Sequence, residues 1–177
     1  MRKHILFTSL FLLLTIILVV YFTFYSKDNI IERKEINNYL FNTSNFEIKQ
    51  RCYEDLIGLS MDGSFYDFYK YEVFNINSSN LMGEYPKFDS IFNVELNNAD
   101  FSYWNKTPIE NNGLQYHFDI AFSSNLGKSK CSMKFQEQDY LRRPNNYYSF
   151  ISIYPIGVYL FIFSPSTNEL FVIAKKG

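Results

Sequence analysis

Only two histidines occur among 177 residues, and one of them, His117, stands two positions from Asp119 and two from Gln115. On an extended strand these three side chains share one face. A carboxylate beside an imidazole can orient it as a general base, which is the chemistry of a hydrolase. A nucleophile would have to come from elsewhere in the chain, and no motif such as G-x-S-x-G supplies one. A solvated strand face is the plainer reading of the same three residues. The carboxylate pairs Glu54 with Asp55 and Glu137 with Asp139 have the composition of a glycosidase site. In a chain with 18 acids, however, such pairs arise freely as surface charge.

Metal chemistry finds less. His4 belongs to the basic flank of an apolar run, so two distant cysteines and one usable histidine remain, which is no zinc pattern. Asp62-Gly63 lacks the rest of a calcium loop. No metal and no cofactor are expected. Cys52 and Cys131 are an even pair, which in an extracytoplasmic domain invites one disulfide. Two separate buried thiols fit equally, because sequence carries no Cα–Cα distance. A bridge closing a loop of about 80 residues would stabilise by roughly 4.5 kcal/mol in the chain-entropy model.

Recognition chemistry has two candidate places. Arg142 and Arg143 precede Pro144 and the pair Tyr147-Tyr148. Arginine forks and tyrosine rings are enriched at protein interfaces, although the same residues would serve as a solvated turn. Tyr103 and Trp104 are the obvious rings for stacking on a sugar. Aromatics make up 20% of the chain, so its rings either pack a core or face a ligand.

The element that must position all of this is the run at residues 5–25, which carries no charge. As a helix it reaches roughly 31 Å, enough to cross a bilayer core. It is longer than a signal-peptide core, ends in Tyr21, Phe22, Phe24 and Tyr25 rather than a small-residue cleavage site, and has no lipoprotein cysteine behind it. An uncleaved single-pass signal-anchor is the expectation. Arg2, Lys3 and the terminal amine precede the run and Lys27, Arg33 and Lys34 follow it, so the flanks are nearly matched in basic residues. The compactness of the first cluster favours an N-terminus in the cytoplasm and the remainder outside, with a domain facing the cytoplasm as the alternative. Thr8, Ser9, Thr15 and Thr23 are its only polar residues and are expected to bond to their own backbone.

Beyond the anchor, residues 26–45 read as a juxtamembrane helix and linker, and 46–177 as one domain of ordinary size with no second domain after it. Residues 56–61 and 64–74 flank Asp62-Gly63, a hairpin signal. A helical face follows Pro86 through residues 88–96, and Phe101, Tyr103 and Trp104 fall in an irregular stretch. Leu114, Tyr116, Phe118, Ile120 and Phe122 alternate with polar neighbours, which predicts a strand, with residues 131–135 as its partner. Residues 147–154, 158–164 and 169–174 read as a meander, whose middle strand is apolar on both faces and belongs at the centre. The fold class is therefore α+β: an N-terminal transmembrane helix, then a β-rich domain on an antiparallel sheet of about seven strands with one or two helices.

Residues 26–177 hold 15 basic residues (17 less Arg2 and Lys3) and all 18 acids, so no basic stripe points to nucleic acid. The Asn-, Ile-, Lys- and Phe-rich wording suits an AT-rich bacterial genome. The expected function is a non-enzymatic, extracytoplasmic protein-binding domain held at the bacterial inner membrane. Its partner would be another envelope protein, as for an accessory subunit or an immunity-type inhibitor. A glycan or cell-wall module and a hydrolase around His117 and Asp119 are the alternatives.

Overall fold

The last third of the chain builds the middle of a sheet, and earlier segments are laid against it. The computed structural model describes residues 11–17, 39–58, 63–109, 114–122, 131, 140–154 and 157–176. The chain divides into two units, Met1–Lys34 and Glu35–Gly177. In the first, residues 11–17 are helical with exposed apolar side chains, and the Thr15 hydroxyl donates to the carbonyls of Phe11 and Leu12. The rest of the predicted span, and residues 26–38 of the predicted juxtamembrane helix, lie outside the described residues. Among the described residues no helix is long and apolar enough to cross a membrane.

The second unit is β-rich, with few helices. Its strands are β1 (Glu47–Asp55), β2 (Phe65–Phe74), β3 (Ala99–Lys106), β4 (Tyr147–Ile153), β5 (Gly157–Ser164) and β6 (Glu169–Lys176). They form one six-stranded antiparallel sheet in the order β1-β2-β6-β5-β4-β3. The meander β4–β5–β6 stands where the sequence places it. β5 lies between β4 and β6, and Val158 to Ser164 are all buried, because a strand apolar on both faces is stable only where both are covered.

Helix α1 (Phe88–Phe92) covers one face and helix α2 (Gln115–Ala121) the other. On the α2 face, the cross-strand row Phe68, Ile173, Leu160 and Phe150 is in register from β2 to β4 and packs beneath Phe118, Ala121 and Leu141. On the α1 face, Phe88 meets Phe161, Phe92 meets Tyr159, and Phe41 meets Phe163. The aromatic surplus is thus largely a core of interlocked rings. Leu40 and Phe41 are fully buried, and this segment is bonded through Asn42 N–H to the Asn80 carbonyl and Lys87 N–H to the Tyr39 carbonyl.

Several sequence expectations change. Residues 114–122 are a helix, not a strand. Leu114, His117, Phe118 and Ala121 follow the i, i+3, i+4, i+7 spacing of a buried helical stripe, while Tyr116, one of the supposed apolar set, is 70% exposed. The strand that pairs with β2 is β1, which ends at Asp55 opposite Asp67, and not the predicted run at 56–61. Residues 56–58 are not strand, and 59–62 lie outside the described residues. β1 and β3 fall outside the strands that the sequence pattern predicts. β1 is an edge strand of mixed polarity, and β3, predicted as irregular, carries a bulge between Ser102 and Asn105. Cys131 lies in a turn, and the rest of its predicted strand lies outside the described residues.

Cys52 and Cys131 are joined by a disulfide with Cα atoms 5.8 Å apart. Beside it, the Cys131 N–H donates to the Glu54 carboxylate at 3.1 Å. Residue 131 is therefore held to β1 twice.

Candidate functional site

α2 is only seven residues long, and its length decides where the sheet stays open. It covers the row containing Phe150, Leu160 and Ile173, then ends. The Tyr66 hydroxyl donates to the Ala121 carbonyl at 2.7 Å, which fixes the end of α2 over β2. The next cross-strand row, Ser152 on β4, Val158 on β5 and Lys175 on β6, is also in register and lies beyond the end of that cover. It forms part of a groove of about 410 Å³, with Ile120 of α2 as one wall.

The groove sits where β4 and β6 end and β2 and β5 begin. Its apolar part is Ile120, Ile153 and Val158, and its polar part includes Ser64, Ser152 and two cations, Lys175 and Lys176. The Lys175 ammonium lies 5.4 Å from the centre of the Tyr66 ring. Tyr154 stands at the rim, 95% exposed. Gly157 lets β5 start close against β6: its φ is +127, and a Cβ there would be 2.5 Å from the Lys175 carbonyl oxygen. An apolar cleft with a few convergent polar groups has the general form of a binding site, and its volume lies within the usual range of ~300–1,000 Å³.

The residues singled out from sequence fall elsewhere. In α2, residues two apart point about 200° from one another, so His117 and Asp119 do not share a face. His117 turns inward and stacks on Phe150 at 4.8 Å, with Nε2 4.0 Å from an Asp100 carboxylate oxygen. Its Nδ1 is buried with no hydrogen-bond partner among the described residues, and Asp119 is exposed. The acid–base pair expected of a hydrolase is not assembled.

Trp104 is 7% exposed, stacks on Phe41 and donates its Nε1–H to the Leu40 carbonyl at 3.0 Å. It is a core residue and offers no platform for a sugar. Tyr103 is half-buried, with its ring parallel to Phe88. Tyr147 and Tyr148 are buried at the start of β4. Arg142 and Arg143 are exposed in the preceding turn. That turn is tied down by the Thr107 hydroxyl, which donates to the Arg143 carbonyl and accepts from the Asn146 N–H. The structure does bring these residues to one corner, because Asn105 and Lys106 of β3 pair with Tyr148 and Tyr147. That corner is at the opposite end of β4 from the groove.

Two other polar clusters hold elements together. Asp67, 5% exposed, accepts hydrogen bonds from the hydroxyls of Tyr53 and Tyr69. Burial, reinforced by the Asp67 charge, pushes the Tyr159 hydroxyl up to about 12 and raises Tyr53 and Tyr69 further, so these phenols stay protonated donors at neutral pH. On the other face, burial works against the Glu169 charge. Hydrogen bonds from Lys70, Tyr140 and Thr167 outweigh it and hold that carboxyl below its usual range.

The groove left no signal in the sequence. Ser152, Val158 and Lys175 meet only through strand register, and Lys175-Lys176 reads by itself as an ordinary basic end to a strand. Among the described residues no group of three or more His, Cys, Asp or Glu is placed to hold a metal ion. Compared with family models, with curated proteins and with solved structures, the chain finds no match.

Proposed function

We propose that this chain is a single-pass protein of a bacterial inner membrane whose periplasmic domain binds another envelope protein and carries out no catalysis. Residues 5–25 would span the bilayer with the N-terminus in the cytoplasm. Support for the span is the uncharged run itself, with basic residues at its N-terminal edge. Support for an oxidising compartment is the Cys52–Cys131 disulfide, since such bonds persist outside the cytoplasm. Support for a non-enzymatic role is the separation of His117 from Asp119 on α2. An accessory subunit of an envelope complex and a membrane-held inhibitor both fit this description.

The observation that carries the reading is the groove at the end of the sheet. It is a concavity with an apolar lining beside a 95% exposed tyrosine, and a tyrosine combines a large rigid ring with a polar tip, the character enriched at interfaces. The test is co-purification of the full-length protein from its native membranes in mild detergent, after cross-linking, read by mass spectrometry. A stoichiometric protein partner cross-linked to residues beyond 45 is the expected result. Recovery of the chain alone, with its orientation confirmed, overturns the proposal.

A further inference from the structure

We infer that the groove takes an acidic segment of the partner protein, seating an apolar side chain between Ile120 and Val158 while its carboxylates meet Lys175 and, around the strand end, Lys176. This rests on the protein-binding reading above and names the chemistry of the partner. The first ground is charge. Residues 26–177 hold 18 acidic and 15 basic residues, yet the described lining of the groove contains two lysines and no carboxylate. A cationic site on an acidic chain steers an anionic partner and disfavours a basic one. The second ground is arrangement. Lys175 is in register with Val158, so one cross-strand row presents a cation beside an apolar floor. A ligand matching that row has a carboxylate next to an apolar group, as a peptide of mixed acidic and aliphatic residues does. The third ground is shape. The apolar residues Ile120, Ile153 and Val158 line a concavity and do not project, which suits a segment that enters more than a lipid surface that would have to be penetrated.

The test uses the full-length protein in mild detergent and two dye-labelled octapeptides, one alternating Glu and Leu and the other alternating Lys and Leu, read by fluorescence anisotropy. The Glu–Leu peptide is expected to bind at least ten-fold more tightly than the Lys–Leu peptide, and to weaken as salt rises. The double variant Lys175→Glu/Lys176→Glu should lose at least ten-fold in affinity for it. Tyr154→Ala, at a position too exposed to affect folding, should weaken it as well. Arg142→Glu/Arg143→Glu, at the far end of β4, should leave binding in place. Equal affinity for the two peptides, or equal loss in the arginine variant, overturns the inference. So does displacement of the peptide by phosphatidylglycerol vesicles but not by phosphatidylcholine vesicles, which would assign the lysines to an anionic lipid surface. If the peptides fail while co-purification still recovers a partner, the groove chemistry is wrong and the protein-binding reading stands.

Discussion

Gly157 opens β5 in a backbone region that L side chains rarely adopt, and it lies against the β6 backbone. An alanine there would combine a strained φ with a Cβ 2.5 Å from the Lys175 carbonyl oxygen. Strain of this kind costs on the order of 1–3 kcal/mol. Gly157→Ala is therefore expected to lower the urea midpoint of the domain by roughly 1 M and to disturb the groove floor, while Gly58→Ala, where a Cβ meets nothing within 4 Å, should cost less. Equal midpoints for the two variants would contradict this view of the strand junction. Little of the residue-level detail was legible in the sequence. Trp104 looked like a ligand platform because ring count says nothing about burial. Its Nε1–H is satisfied by the Leu40 carbonyl, a partner 64 residues away that no local pattern announces. His117 looked like half of a catalytic pair only because two-residue spacing was read with a strand's period.

Elements are most legible in the sequence where the pattern leaves one solution. β4, β5 and β6 are apolar enough to be central, and short turns between them force antiparallel neighbours. α2 imitates a strand in sequence because its apolar residues satisfy both periods over nine positions, and only the exposure of Tyr116 against the burial of Phe118 and Ala121 separates them. β1 is silent in the sequence because a mixed-polarity edge strand carries little periodic signal. Its attachment to residue 131 is covalent, and the bridge closes a loop of about 80 residues, which the chain-entropy model values at roughly 4.5 kcal/mol. Replacing both cysteines by serine should reduce unfolding free energy by about 2–5 kcal/mol, and reductant should have the same effect on the unmodified protein. An unfolding midpoint insensitive to both changes would show that Cys52–Cys131 contributes no stability.

For the whole molecule, one sheet is covered unequally. α1 and the segment around Leu40 and Phe41 seal one face with rings, whereas seven-residue α2 stops short of the terminal row of the other face, where Val158 lines the groove. The antiparallel core was legible in sequence because it follows from hydrophobic period and turn residues. The groove was not, because it depends on where a short helix stops relative to strand register. The most direct measurement places a photo-cross-linking amino acid at position 154, at the rim of the groove, and separately at position 82, where Met82 is 60% exposed beyond the far end of β2. Both full-length variants would be illuminated in native membranes. A protein-binding groove predicts one dominant protein adduct from position 154 that position 82 does not form. The same adducts from both positions, or an adduct from 82 alone, would contradict the assignment of the groove as the binding site.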